Sequence, residues 1–399
     1  MGSSEALPLQ GVRVVEFCEV AAGPYCSMLL ADQGADVVKV EKPTGDTMRS
    51  WPPISSPDRA DGSDQGFSEN FASINRSKRS VVLDMKTEQG LAAATALIER
   101  ADVVVENYRP GVMAKLGIDY ETMSAVNPGV TYCSISAFGQ EGPRSTEGGF
   151  DLTMQAMAGV MSVTGEPGGA PVKCGVPLCD FVAGLYGAFG VASALRERER
   201  TGRGQHIDVS MLGTTLAVGA LQTSEYFGTG DNPRKLGSAH PRNAPYQAFR
   251  SADGHFGMAA GNNGLWERVC EVVGLPELVD DERYRTPVLR AANQDELRIT
   301  LEATFMTEPS AHWLSAFARA GVPSSPINSY RDALADPQVE HMGWVRPLRL
   351  PNGVETETFG PPVRIDGRSV PIRSSPPLLG EHTEAVLAEL GLTVPGLDR

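Results

Sequence analysis

Short β-branched runs, recurring between segments of helical spacing, constrain this chain more than any other feature. Residues 12–17 (VRVVEF), 35–41 (ADVVKVE), 80–85, 101–105, 130–135 and 206–210 (HIDVS) each read as a short strand. Between the first two, Pro24 suits the first turn of a helix and Gly34 suits its end. Strand, loop, helix and strand in succession is the unit of a parallel sheet, because a parallel neighbour is reached only by a crossover. Leu91, Ala94, Thr95 and Ile98 repeat the helical spacing before the next strand. We therefore expect an α/β fold whose large domain is a parallel sheet.

The pattern changes after 228–243, a stretch rich in Gly, Pro and basic residues that suits a domain boundary. Residues 245–260 alternate around Asp253-Gly254, a strong hairpin signal. Helical patterns follow at 265–274, 294–305 and 311–320, so a smaller α+β domain is expected. Two extended segments flank Pro351-Asn352-Gly353, and a helix lies within 376–391.

Composition removes several function classes. The formal net charge of -14 argues against a general nucleic-acid binder or an anionic-membrane binder. A polyanionic ligand would then need a local basic pocket. Lys42 and Arg109 at strand ends, with the Arg76, Lys78 and Arg79 cluster, could build one. The six cysteines form no CxxC pair and read as free thiols of a cytoplasmic protein. No charged segment leads into an apolar one at the N-terminus, and Ala6 breaks the myristoylation pattern begun by Met1-Gly2. The longest apolar run, 181–195, is short and rich in Gly and Ala for a membrane span.

The first turn reads VAAGP rather than GxGxxG, which argues against a dinucleotide site although Glu41 ends the second strand. That loop could still offer backbone N–H groups to a phosphate, or Gly23 could simply make a tight turn. His206 and Asp208 share a strand face, but no GxSxG supplies a nucleophilic serine. The six histidines form no HExxH or HxH, so no metal site is expected. Asp180 stands before an apolar helix rich in small residues. It is either an N-cap or a carboxylate kept ionised by the helix dipole for nucleophilic work, and the two roles are compatible. Gly261, Asn262, Asn263 and Gly264 are either a linker or a mobile flap.

Taken together, these blocks resemble the class III, CaiB/BaiF-type CoA-transferases. The resemblance is carried by GVRVVEF, AAGPYCSMLLADQGADVVKVEKP, INRSKRSVVLDMK, ADVVVENYRPGVMAKLG, YCSISAFGQEGP, GFDLTMQAMAG and LCDFVAGLYGAFGVASALRERERTGRGQHIDVSM. It continues through GNNG and PPLLGEHTEAVLAELG, and so covers essentially the whole chain. It implies a Rossmann-like large domain at 1–213, a linker at 214–236, a small α+β domain at 237–335, and a segment at 336–399 that returns to the large domain. It also implies an interlocked homodimer. Asp180 matches the family's nucleophilic aspartate, with the Gly261–Gly264 loop closing over the reacting group.

CoA binding carries over to Ala21, Ala22, Lys42, Ile74, Asn75, Arg76, Ser77, Ala101, Asp102, Val103, Arg109, Ser136, Ala137, Phe138 and Gly139. CoA is a substrate in such chemistry, which requires no metal or redox cofactor. The stretch SAHPRNAPYQAF and the GNNG loop look closest to the succinyl-CoA:dicarboxylate branch, with Arg49, His240 and Arg242 as candidate anchors for a second carboxylate. An α-methylacyl-CoA racemase, the rival within the family, pairs its aspartate with a histidine where this chain has Phe150. A CoA-binding protein without turnover is the alternative of a different class.

Overall fold

The computed structural model describes residues 6–56 and 66–392. Residues 1–5, which include the start of the myristoylation pattern, and residues 57–65 and 393–399 lie outside the described residues. Chain contacts divide the protein into one unit of residues 1–160, 173–228 and 339–399, and a second of 161–172 and 229–338.

The strands used below are β1 (Arg13–Phe17), β2 (Asp36–Glu41), β3 (Lys78–Val82), β4 (Val103–Glu106), β5 (Thr131–Ser136), β6 (His206–Ser210), β7 (Tyr246–Ser251), β8 (Gly254–Ala259) and β9 (Ser324–Pro326). The helices are α1 (Ala22–Asp32), α2 (Glu69–Asn75), α3 (Glu88–Glu99), α4 (Asp151–Met157), α5 (Leu178–Thr201), α6 (Met211–Val218), α7 (Ala220–Thr229), α8 (Asn263–Val273), α9 (Gln294–Phe305), α10 (Ser310–Ala320) and α11 (Thr383–Glu389).

In the larger unit, six strands form one parallel sheet in the order β3-β2-β1-β4-β5-β6. The order reverses between β1 and β4, and such a switch point leaves a crevice at the carboxyl ends of the strands. Alternation sorts the strand residues onto two faces. Val14, Val37, Val105, Cys133, Ile135 and Val209 join a core with α1 and α5. Val15, Phe17, Val38, Val104 and Tyr132 join another with α3 and with Val386 and Leu387 of α11. The C-terminal segment also covers the edge strand β3. The His382 N–H donates to Ser80 O at 2.9 Å, and the Val82 N–H donates to Thr383 Oγ1 at 3.0 Å. An open sheet edge is thereby satisfied within the chain.

The small residues of α5 let it pack hard on α1. A Cβ added at Gly184 would lie 2.7 Å from the Ala22 carbonyl oxygen, and one at Gly187 would lie 3.0 Å from Cys26 Sγ. α5 is buried on one face only. Leu185, Tyr186 and Phe189 are 49%, 42% and 71% exposed, because only the small-residue face meets the sheet. With 24 residues, α5 is long and apolar enough by length and composition to cross a membrane, yet Val182, Ala183, Val191 and Leu195 are buried in this fold. Residues 211–229 form two helices, with Gly219 between α6 and α7. α4 stops at Met157, and Gly159 follows at φ 83, in the left-handed region.

The smaller unit holds an antiparallel sheet in the order β9-β8-β7, packed under α8, α9 and α10 by Phe249, Phe256, Trp266, Phe305, Trp313 and Phe317. Its hairpin turns at Ala252-Asp253, one residue earlier than the Asp-Gly signal suggested, and Gly254 opens β8.

Candidate active site

Asp180 lies in the first turn of α5 rather than before it, so it is not the N-cap; Pro177 holds that place and brings no capping side chain. Instead α5 is capped from a different helix. The Cys179 N–H donates to Asp151 Oδ1 at 2.9 Å, and Gln155 Nε2 donates to Asp151 Oδ2 at 2.7 Å. Gln155 is fully buried, and its Oε1 accepts the Cys174 N–H at 2.8 Å. Two side chains of α4 thus hold both the start of α5 and the segment leading into it. Asp151 and Gln155 stand one helical turn apart on α4, a spacing that is visible in the sequence but not distinctive there.

This arrangement corrects the expectation that the helix dipole keeps Asp180 ionised. Asp180 is half-buried, and burial with the nearby Asp151 carboxylate pushes its pKa up to about 7. Desolvation and a like charge both disfavour the anion, and here they outweigh the dipole. A carboxyl poised near neutrality is more basic than a free aspartate, which suits attack on an acyl carbon.

The carboxyl ends of β1 and β4 meet beside α1. Ala21 and Ala22 begin α1, where no side chain caps the helix. Asn107 clamps the turn after β1: its Nδ2 donates to Glu19 O at 2.8 Å and its Oδ1 accepts the Glu19 N–H at 3.0 Å. Lys42 is exposed at the end of β2 and pairs with Glu19 at 2.7 Å. Arg109 follows β4 and is exposed, with its guanidinium against Gly148. Ser136 ends β5 and its Oγ accepts the Gly139 N–H at 3.0 Å, so Ala137 and Phe138 lie within a tight turn. These residues do gather at one edge of the sheet.

Other expected ligand contacts are already engaged within the chain. Ile74, Asn75, Arg76 and Ser77 precede β3 and are buried, with Ile74 sharing a core with Ala21. Arg76 pairs with Asp32 at 2.8 Å, and Arg79 pairs with Asp36 at 2.6 Å and Glu389 at 2.8 Å. Lys78 is buried against Glu16 at 2.8 Å. The expected basic cluster is therefore a set of internal ion pairs and not an open anion pocket. Ala101, Asp102 and Val103 stand at the amino end of β4, the opposite edge of the sheet, where Asp102 accepts the Arg13 N–H at 2.8 Å and meets Arg198 at 3.1 Å. A parallel sheet separates them from the carboxyl-end crevice by the length of a strand.

Arg49 was expected to anchor a second carboxylate but meets Glu41, with Nη2 to Oε1 at 2.6 Å and Nε to Oε2 at 2.7 Å. In the smaller unit, His240 stacks on Tyr246, and its Nδ1 accepts the Arg242 and Asn243 N–H groups, each at 3.1 Å. Burial and the adjacent Arg242 lower the His240 pKa. Gly261 precedes α8, and Asn262 caps that helix by accepting the Leu265 N–H at 2.9 Å. Asn263 Oδ1 accepts from the buried Arg290 at 3.0 Å, while Gly264 is exposed. The loop is thus a helix entrance with one tethered asparagine. Among the described residues no group of three His, Cys, Asp or Glu is placed to hold a metal ion.

Comparison with known proteins is uniform along the chain. The family model described as CoA-transferase family III matches residues 9–383. A succinate–glutarate CoA-transferase of Agrobacterium fabrum is 40% identical over 385 residues, covering 96% of each protein. An acetyl-CoA:oxalate CoA-transferase of Acetobacter aceti is 38% identical over 385 residues, covering 96% of this chain and 95% of that one. The crystal structure of a CaiB/BaiF family protein from Brucella suis superposes with a TM-score of 0.85 at 39% identity, covering 97% of this chain and all of the other.

Proposed function

Because the chain belongs to CoA-transferase family III, we propose that it moves CoA from succinyl-CoA to a dicarboxylic acid, with Asp180 as the nucleophile. The enzyme class follows from the family. One observation supports the nucleophile: Asp180 is a half-buried carboxyl with a pKa near 7, on the helix that crosses the start of α1 at Gly184. The similarity to a glutarate enzyme and an oxalate enzyme at nearly equal identity leaves the acceptor's chain length to the substrate pocket.

The chemistry proceeds by acyl transfer. An Asp180 carboxylate oxygen attacks the donor thioester carbonyl, and CoA thiolate leaves, giving a mixed anhydride. The thiolate then attacks the aspartyl carbonyl and expels the donor acid as its carboxylate, leaving an aspartyl-CoA thioester. The acceptor carboxylate attacks that thioester and displaces the thiolate. The thiolate finally attacks the acceptor's acyl carbon, forming the new acyl-CoA and freeing Asp180. Ala21 and Ala22 at the uncapped start of α1, with Lys42, Arg109 and the 136–139 turn, are proposed to receive CoA at the carboxyl edge of the sheet. The Gly261–Gly264 loop is proposed to exclude water from the anhydride. Arg49 is engaged by Glu41, and His240 and Arg242 are proposed as anchors for the distal carboxylate.

An interlocked homodimer belongs to the same reading. Leu185, Tyr186 and Phe189 on α5, with Leu216, Leu221 and Phe227 on α6 and α7, are exposed apolar residues that a second copy would cover. The six unpaired thiols are consistent with a cytoplasmic location.

A racemase role deserves a test because a carboxyl near pKa 7 also suits proton transfer. Against it, the residue before Asp151 is Phe150, 75% exposed and without a titratable group. The deciding experiment is transfer of labelled CoA from succinyl-CoA across a panel of acids, with hydroxylamine trapping of the acyl-enzyme. Label at Asp180 and none in Asp180→Ala supports the proposal. Exchange of the α-proton with deuterated water in the absence of any acceptor would replace it.

A further inference from the structure

The turn after β1 is held by a buried ionic group that acyl transfer does not use. Glu16 on β1, Lys39 on β2 and Lys78 on β3 are all fully enclosed. Lys39 Nζ lies 2.9 Å from Glu16 Oε1, 2.9 Å from Asp46 Oδ2 and 2.8 Å from Cys18 O. Lys78 Nζ lies 2.8 Å from Glu16 Oε2 and donates to Pro24 O at 2.8 Å. The network therefore grips the turn at both of its ends, Cys18 and Pro24. Asp46, itself buried, reaches the middle: its Oδ1 accepts the Val20 N–H at 3.3 Å and the Met48 N–H at 2.9 Å.

Val20 is the residue that requires holding. Its φ is 65, in the left-handed region that a β-branched side chain disfavours. Strain of this kind persists only where the surroundings over-determine it. Val20 immediately precedes Ala21 and Ala22, whose backbone opens α1 toward the crevice. Were Val20 to relax, the direction of those N–H groups would change, although no side chain in the crevice had moved.

We infer that Asp46 is a positioning residue for acyl-CoA, acting through Val20 to hold the β1–α1 turn in its ligand-ready conformation. The inference rests on the proposal that this turn receives CoA. Lys39 in turn orients Asp46. In Asp46→Asn the amide oxygen would turn to the Lys39 ammonium, and the NH2 group would then face the Val20 and Met48 N–H groups, donor against donor.

The test is steady-state kinetics of the full-length enzyme with succinyl-CoA. D46N should raise the KM for acyl-CoA roughly five- to thirty-fold at near-constant kcat, the range set by the strain of one left-handed β-branched residue. Adding V20G should restore most of that loss, because glycine adopts the conformation without an anchor. A defect of general stability would not be rescued there. A D46N enzyme with unchanged KM, or a V20G/D46N enzyme no better than D46N, overturns the inference. Should D46N fail to melt cooperatively, deuterium exchange of the ligand-free wild type decides. The peptide spanning 17–22 should be protected, and exchange at the rate of an open loop overturns the inference. Failure of the CoA-transferase reading looks different: the wild type itself would transfer CoA to no acid.

Discussion

Asp151→Asn isolates the charge that faces Asp180, the proposed nucleophile. The Asn side chain keeps the volume of Asp and can still accept the Cys179 N–H through Oδ1, so the start of α5 retains its cap. What it loses is the negative charge beside Asp180. Burial is the larger cause of the raised Asp180 pKa and survives the substitution; Asp151 is the second cause and does not. The acid limb of kcat/KM, expected near the Asp180 pKa of about 7 in the wild type, should therefore fall by about one pH unit, to about 6. At pH 6 the ionised fraction of Asp180 would rise from about one-tenth to about one-half, so activity relative to pH 8 should increase about five-fold. The substitution also sets an NH2 group against Gln155 Nε2, which costs roughly 1 kcal/mol of stability and is read separately from thermal melting. The assay is kcat/KM for succinyl-CoA between about pH 5.5 and 8.5, with acceptor saturating. An acid limb that stays at about 7 in a cooperatively folded D151N enzyme would refute the electrostatic argument.

Gly184→Ala should lower kcat more than stability suggests. Its methyl would lie 2.7 Å from the Ala22 carbonyl oxygen, so α5 must shift from α1 at a cost of about 1–3 kcal/mol, measured by denaturant unfolding alongside turnover. Glu106→Gln should stabilise the protein at alkaline pH. Burial pushes the Glu106 pKa up to about 7, so its stabilising contribution is complete below its ordinary value and is lost as pH rises through about 7. At pH 8 the variant should gain up to roughly 3 kcal/mol over the wild type, a difference that vanishes near pH 4. Phe189→Asp with Phe227→Asp should shift sedimentation toward the monomer if a second copy covers those exposed rings.

The larger fold was legible because it is written in local patterns. Short β-branched runs with helical spacing between them permit little but a parallel sheet, and Pro24 and Gly34 mark helix ends for steric reasons that need no partner. Asp180 stands out in the sequence by its setting before a small-residue helix, but its role as nucleophile is implied only by the family resemblance. Its chemistry was not legible. Whether a first-turn carboxylate is ionised depends on desolvation and on Asp151, which approaches from 29 positions earlier in the chain. The basic residues failed as a guide for the same physical reason. Arg76, Lys78, Arg79 and Arg49 look like ligands for an anion until folding brings Asp32, Glu16, Asp36 and Glu41 to them. Ala101, Asp102 and Val103 matched a motif, yet strand direction sends them to the opposite edge of the sheet. Periodicity and turn chemistry act between near neighbours, so the strands and the crossovers between them could be read from short stretches of sequence. Charge, burial and strain depend on what arrives from elsewhere in the chain, so the state of Asp180 and the tether on Val20 emerge only once the chain has folded.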